Sequence, residues 1–252
     1  MTMRTRALAT AAALVAALLA GAAVHAAGPA PAGTITFLSG EAVRSQGKTR
    51  EVLKLGGSFF QGDVIETASR SRVELTLTDA SVLRLGPLSR VELDAAAFGA
   101  TADDRKVSAK LRVGNVWASV TKALGGESRF EVKTENAVAG VRGTTFRVDA
   151  SKDKSVVVKV YSGTVAVAAG PVPRPAHGGA EGTEEGKKEG KKERRQVAGP
   201  QEVTREQWEK IVTAMMEIRV AADGTPAEPE RFALAQADEW ETWNRERDAA
   251  TK

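Results

Sequence analysis

Ala137-Val138-Ala139-Gly140-Val141-Arg142-Gly143-Thr144-Thr145-Phe146-Arg147-Val148 is the stretch that decides the fold class. An apolar run meets two glycines three apart and then resumes as an alternation. Phe146 and Val148 point one way, and Thr145, Arg147 and Asp149 point the other. That is the pattern of a chain that turns a tight corner, here at Gly140 and Gly143, and enters a half-buried strand. Phe146 and Val148 are expected in the core. Arg142 is the one side chain of the stretch without a clear packing duty, which makes it a candidate contact for a partner. Gly140-Val141-Arg142-Gly143 is not a phosphate loop, because the Gly-rich spacing, the lysine and the following helix are missing.

The alternation recurs on both sides of this corner. Val73, Leu75 and Leu77 alternate with Arg72, Glu74, Thr76 and Thr78, and Asp79-Ala80 supplies a turn. Leu83 and Leu85 share a face opposite Arg84; Gly86-Pro87 breaks the run; Val91 and Leu93 alternate with Arg90 and Glu92. Leu111 and Val113 precede a turn at Gly114-Asn115, and Val116 to Val120 follows. Phe130 and Val132 alternate with Arg129, Glu131 and Lys133. Val156, Val158 and Val160 lead to a turn at Ser162-Gly163 and then to Val165 and Val167. Strands about ten residues apart with Gly, Asn and Asp turns predict an all-β sandwich, barrel or solenoid. Units of similar length favour a twisted β-solenoid or sandwich-like stack of short strands, with no strict sequence repeat. Ala95 to Asp104 carries the least pattern and is expected to be a loop.

The β-domain is predicted over residues 33–203, after a Pro/Ala/Gly tether at 27–32, with a charged insertion at 170–195. That insertion holds Pro171, Pro173 and Pro175, then mixed charge ending in Lys191-Lys192-Glu193-Arg194-Arg195. It cannot bury enough apolar surface to offset its chain entropy, and disorder is expected. Its lysines are interleaved with Glu181, Glu184, Glu185 and Glu189, as in a solvated loop rather than a basic grip. Gln196 to Val203 is predicted to be a strand that pairs with Thr164 to Ala168.

Residues 204–252 are expected to form a small α-helical C-terminal tail. Thr204-Arg205-Glu206-Gln207 matches a capping box, and Trp208, Ile211, Val212 and Met215 follow at helical spacing. Ile218 to Ala221 with Asp223-Gly224 is an extended piece and a turn. A second helix is predicted from Glu228 to Asp248, with Phe232, Gln236, Trp240 and Trp243 on one face. Three of the four tryptophans, Trp208, Trp240 and Trp243, lie in this tail. Helices this short need tertiary support, so packing onto the β-domain is favoured. An aromatic contact surface for a sugar or a protein, built on Trp240 and Trp243, is the rival reading.

Residues 1–26 are predicted to be a secretory signal peptide, with Arg4 and Arg6 before an apolar run and Val24-His25-Ala26 at the cleavage site. Retention as an anchor helix is the alternative. Cleavage removes Arg4 and Arg6, so the formal net charge of +4 becomes +2. That balance gives no electrostatic footprint for nucleic acid. No stable membrane insertion is expected once the signal is cleaved. The 252-residue chain has no cysteine, which excludes a disulfide framework and a Cys-based metal or redox site.

Catalytic chemistry is hard to place. His177 lies in the charged insertion, and no cysteine nucleophile exists. No Cys, His or carboxylate cluster has zinc-ligand spacing. The carboxylate pairs Asp103-Asp104 and Glu184-Glu185 fall in loops, a poor platform for two fixed glycosidase carboxyls. The expectation is no enzyme, no cofactor and no metal site.

Several segments resemble one family. Gly62-Asp63-Val64-Ile65-Glu66-Thr67 and Leu77-Thr78-Asp79-Ala80-Ser81-Val82-Leu83-Arg84-Leu85-Gly86 resemble the opening of the FecR domain. Leu111-Arg112-Val113-Gly114-Asn115-Val116-Trp117 looks like its middle. Phe130-Glu131-Val132-Lys133-Thr134, Ala137 to Val148, and Val158-Lys159-Val160-Tyr161-Ser162-Gly163-Thr164-Val165 look like its end. The resemblance runs from Gly33 to Thr204. Ala80 departs from it, where the family carries the glycine of an Asp-Gly turn.

The family is named for a regulator of ferric citrate uptake, whose FecR domain lies in the periplasm. There it receives a signal from an outer-membrane transporter and passes it through one membrane helix to a cytoplasmic sigma-factor-regulating segment. The present chain is expected to lack that segment, so only the envelope-side domain carries over. Trp240-Glu241-Thr242-Trp243-Asn244-Arg245 looks like tails of other stand-alone exported FecR-domain proteins. The resemblance implies an exported, periplasmic or extracellular protein of a bacterial cell envelope. It would act by contact with an envelope protein, or, as the rival, with peptidoglycan or another glycan; a glycan-cleaving enzyme is the weakest reading. Open sheets offer edges to which a partner strand can add.

Overall fold

The computed structural model describes residues 29–99, 105–122, 129–170 and 208–250. The compact unit considered below begins at Pro31. The predicted signal peptide, most of the charged insertion, the strand at 196–203 and the capping box at 204–207 lie outside the described residues.

Apolar–polar alternation gives each strand one face to bury, and the chain satisfies this by building two layers. Sheet I runs, in spatial order, β4 (Ser58–Phe59), β1 (Gly33–Ser39), β6 (Arg72–Leu77), β7 (Val82–Leu85), the C-terminal part of β9 (Arg105–Ser119), β12 (Thr145–Ala150), β13 (Val156–Ser162), β16 (Met216–Val220) and β17 (Glu230–Arg231). Sheet II runs β3 (Thr49–Val52), β2 (Ala42–Gln46), β5 (Val64–Thr67), β8 (Arg90–Phe98), the N-terminal part of β9, β10 (Arg129–Lys133), β11 (Ala137–Val141), β14 (Thr164–Ala169) and β15 (Glu209–Thr213). Every ladder is antiparallel except β9 with β10. Because β9 belongs to both layers, the hydrogen bonding is continuous through one open, mixed sheet. The all-β class with a short helical tail is the class the alternation predicts.

The inward-facing residues of both sheets form one core. Leu83, Leu85, Val116, Phe146, Val148 and Val158 come from sheet I, and Val91, Leu111, Val132, Val165 and Val212 from sheet II. Each fully buried side chain of this size stabilises the fold by roughly 1.5–3 kcal/mol. Phe146 and Val148 are in the core, as expected.

Four local expectations are corrected. Gly114-Asn115 is not a turn between two strands; it is a bend inside β9. Gly114 has φ +101° there, and the strand passes from β8 and β10 to β7 and β12. A Cβ at Gly114 would lie 2.4 Å from the Ser89 Cα, so only glycine fits. Gly140 does not turn the chain but sits within β11, and the corner belongs to Gly143 at φ +62°. Ala95 to Phe98 is strand, not loop, as β8 continues along β9 with a register shift. The predicted helix over Trp208 to Met215 is instead β15, a turn with Met215 at φ +64°, and the start of β16.

That last correction has a tertiary cause. β14 leaves an open edge, and Glu209 to Thr213 fills it in register with Ala168 to Thr164. The partner foreseen for β14 was Gln196 to Val203; among the described residues the pairing belongs to β15. Val212 faces the core and Ile211 faces out, which satisfies a period of two as well as the helical spacing did. The second predicted helix shrinks at its start. Glu230–Arg231 is strand, Leu234–Gln236 a single 3-10 turn, and the α-helix, α1, spans Glu239–Ala250.

Two substitutions test these backbone assignments. Ala80 holds φ +62° in the β6–β7 turn. Ala80→Gly is expected to stabilise the fold by about 1 kcal/mol, and Gly114→Ala to destabilise it by about 3 kcal/mol, from strain and overpacking together. Chemical denaturation checks both; a neutral Gly114→Ala would show that β9 is not held at this bend.

Candidate functional site

The outward face of sheet I carries a single row of side chains in strict cross-strand register. Phe37 opposes Glu74, Glu74 opposes Arg84, and Arg84 opposes Trp117. Trp117 opposes Arg147, Arg147 opposes Lys159, and Lys159 opposes Glu217. Glu74, Arg84, Arg147, Lys159 and Glu217 are each the central residue of an apolar–polar–apolar triplet such as Leu83-Arg84-Leu85 or Phe146-Arg147-Val148, and Trp117 is centred between Val116 and Ala118. The flanking residues fill the core, so the central one must point away from it.

These outward residues are not solvated. Arg84 and Trp117 are each 1% exposed, Glu74 and Arg147 6%. They are covered by α1. Asp238 starts the helix as its N-cap: its Oδ1 accepts the Glu241 backbone N–H at 2.7 Å. Trp240, Glu241 and Asn244 are the buried face of α1.

The contact is mostly ionic. Arg84 donates through Nε to Glu74 at 2.6 Å and through Nη1 to Asp248 at 2.6 Å. Trp117 Nε1 donates to the other Asp248 oxygen at 3.0 Å. Arg247 forks onto Glu74, Nε at 2.5 Å and Nη2 at 2.9 Å. Arg147 reaches Asp238 at 2.7 Å, Asp149 at 2.8 Å and Glu241 at 4.0 Å. Lys159 lies 3.6 Å from Glu241 and 3.5 Å from Glu217. Arg72 pairs with Glu239 at the helix start. Trp243 stacks on Trp240 with centroids 5.2 Å apart, meets Phe37 at 5.3 Å, and has the Arg72 and Arg247 guanidinium groups at 5.2 and 5.7 Å.

Burial and pairing compete at each charge, and pairing wins at Glu74. Burial alone would raise its carboxyl, but the hydrogen bonds from Arg247, Arg84 and Thr36 outweigh it and hold the group at about 2. Asp238 is lowered for the same reason, by the Glu241 N–H and by Arg147 against burial. Burial would lower Arg147, yet Asp149 and Asp238 hold it above the ordinary arginine value. Burial, followed by the Glu241 carboxylate, pushes the Tyr161 phenol well above its usual range. Trp240 Nε1 is buried without a hydrogen-bond partner, and the Tyr161 hydroxyl faces the buried Glu241 carboxylate.

The residues singled out in the sequence separate here. Trp240 is buried against sheet I, and Gly86 lies beneath its ring. Trp243 is half-buried and lines a groove of about 560 Å³ with Phe37, Arg70, Arg72 and Glu239. Arg142 belongs to the other layer. It is exposed beside a shallow groove of about 340 Å³ on sheet II, lined by Phe130, Gly140, Ala166 and Ile211. The structure therefore brings Trp240 and Trp243 together and leaves Arg142 apart. Sequence reasoning missed the row itself. The signal was the charge or indole at the centre of each triplet, read singly as a solvent-facing residue. It also missed Asp238-Glu239-Trp240-Glu241, a capping pattern at the true helix start.

Residues 63–166 match the family model described as FecR protein. No curated protein matches the chain in sequence. Two solved structures of a candidate anti-sigma factor from Parabacteroides distasonis ATCC 8503, at 1.65 and 2.50 Å resolution, are similar to the chain with a TM-score of 0.44 in each case. Their identities are 18% and 17%, over 67% of this chain and 59% of theirs. This chain thus spans less than two thirds of those proteins.

The family segments are accounted for by the architecture. Gly62 turns at φ +86°, and Asp63 accepts the Phe60 N–H at 2.8 Å and the Arg44 guanidinium at 3.2 Å. Thr67 Oγ1 donates to the Gly86 carbonyl at 2.6 Å and accepts the Ser89 N–H at 2.9 Å, latching the β7–β8 connection onto β5.

The row predicts two measurable effects. Removing the guanidinium in Arg84→Ala leaves the buried Glu74 carboxylate to Arg247 alone and Asp248 to the Trp117 indole, and is expected to cost about 2–3 kcal/mol in chemical denaturation. The Glu74 carboxyl is lowered from 4.5 to about 2 by folding, so its contribution is complete above pH 4.5 and is lost as pH falls towards 2. Glu74→Gln should lower the melting temperature at neutral pH and flatten the acid decline in that window. An unchanged acid profile would show that Glu74 is not held by these arginines.

Proposed function

We propose that this chain is a non-enzymatic, exported protein of the cell envelope that acts by protein–protein contact, in signalling or in surface assembly. The match of residues 63–166 to the FecR model carries this reading. The family works by receiving contacts on its envelope-side domain, and the corresponding residues here build the two sheets rather than a catalytic cleft. The acidic groups that sheet I brings together are committed to arginines. Glu74, held at about 2, is a poor proton donor near neutral pH.

Two surfaces suit a protein partner. The edge strand β3 is exposed along its whole length, and its last residue, Val52, is 66% exposed. On sheet II, Ile211 of β15, the other edge strand among the described residues, is also exposed. An extended segment can add to either edge through backbone hydrogen bonds. Glycan binding is supported by one observation, the half-buried Trp243 ring in the groove with Phe37 and Arg72. Trp240, stacked beneath it and buried, has no face to offer a sugar.

The test is capture of tagged, exported protein from envelope extracts, followed by reciprocal capture with the recovered partner. A specific partner is expected; none in either direction would sink the contact reading. Sedimentation with purified peptidoglycan separates the rival, which requires binding that is lost in Trp243→Ala. Cell fractionation with N-terminal sequencing tests export and cleavage after Ala26.

A further inference from the structure

The helix α1 rests on a polar surface, and that sets its behaviour apart from a core helix. Its buried anchors are one tryptophan, Trp240, and a set of charged and amide groups. The buried Trp240 Nε1 lacks a partner at the contact, at a cost of about 1–3 kcal/mol. Lifting α1 would expose Glu74, Arg84, Arg147 and Lys159 to water, which solvates them well. The face laid bare would be mixed, with the Trp117 and Phe37 rings among these charges, while the aliphatic residues of the strands stay in the core. The connection to α1 is also light. Between β17 and the helix lies one 3-10 turn, Leu234–Gln236, with no buried residue. Docked and undocked states of such an element differ by less than those of a helix docked through a purely apolar face.

What fits the row can be read from what occupies it. Arg84, Arg147 and Lys159 present three cations across neighbouring strands, and α1 answers with Asp248, Asp238 and Glu241. These carboxylates are spaced three and seven residues apart, so a helix brings them to one face. Arg247 meets the single carboxylate of that half of the row, Glu74.

We propose that α1 is a cis occupant of a helix-docking surface, and that the row from Glu74 to Lys159 receives in its place an acidic, tryptophan-bearing helix of a partner protein. This deepens the protein-contact reading and rests on it. While α1 is docked, the apparent affinity for that helix is reduced by the fraction of chains whose row is uncovered.

The probe is a fluorescently labelled peptide with the sequence of residues 237–250, added to the full chain and followed by anisotropy. Asp238→Lys with Glu241→Lys repels Arg147 and Lys159 and releases α1 in cis while leaving the row intact. This variant is expected to bind the peptide at least about ten-fold tighter than wild type. Binding should weaken as salt rises from about 50 to about 500 mM, and adding Arg147→Glu should reduce it at least about ten-fold. A released variant that keeps its β circular dichroism but binds no tighter than wild type overturns the proposal. So does binding indifferent to Arg147→Glu. Should the released variant fail to fold, hydrogen exchange of the wild-type chain decides. Amides of α1 exchanging at least about a hundred-fold faster than those of β12 and β13 support a separable helix; equal rates overturn it. The peptide assay reads the row alone, so its failure leaves the envelope-capture result to stand or fall by itself.

Discussion

Charge placed in register on the outward face of a sheet must be either solvated or matched from above. Sheet I takes the second course. Glu74, Arg84, Trp117, Arg147 and Lys159 lie side by side on five consecutive strands, with α1 laid across them. Within the row itself Glu74 neutralises Arg84 and Glu217 lies 3.5 Å from Lys159, which leaves Arg147 beside the like charge of Lys159. Carboxylates from the helix and from Asp149 remove that repulsion. The helix, for its part, has too little apolar surface to be stable in isolation. Each element thus depends on the other.

Sheet II shows the contrast. Its outward face carries ion pairs as well, Arg44 with Glu51, Arg112 with Glu92, and Glu66 with Arg50 and Arg90. These pairs join strands of the same sheet, they are partly exposed, and they need no cover. Exposed pairs of this kind contribute about 0–1 kcal/mol each. The two layers share a core and a strand, β9, so the bend at Gly114 is what allows one face to be covered while the other stays open. Gly114 closes on Ser89, whose Oγ accepts the Asn115 N–H at 2.9 Å. That latch fixes where β9 leaves sheet II and delivers Trp117 to the row.

The inward half of this structure was legible in the sequence. Alternation placed Val73, Leu75, Leu83, Leu85, Phe146, Val148, Val158 and Val160 in a core and predicted the strands that carry them. Two things escaped. Trp208 to Met215 satisfies both helical and strand periodicity, and only the vacant edge of β14 selects the strand; no local signal holds that information. The outward row is a property of register between residues up to 58 positions apart, as Lys159 is from Glu217, and register cannot be read from single strands. The helix start was within reach, since Asp238 and Glu241 have capping spacing, but the longer apolar pattern from Glu228 masked it.

The energetic character of the α1 contact follows from these placements. A buried ion-pair network contributes little net stability over an apolar contact of the same size, because desolvation cancels most of the Coulomb gain. Its contribution is to specificity: a helix with carboxylates opposite Arg84, Arg147 and Lys159, and a cation opposite Glu74, completes pairs that the sheet begins with Glu74, Asp149 and Glu217. An apolar helix of equal length would leave these groups with their partners in the sheet alone and forfeit the contacts of Asp248, Asp238, Glu241 and Arg247. The same arithmetic makes the contact reversible in water, since every charge that α1 covers is one that water can solvate. A surface that is selective for one charge pattern, yet tolerant of being uncovered, has the two properties an exchangeable recognition element requires.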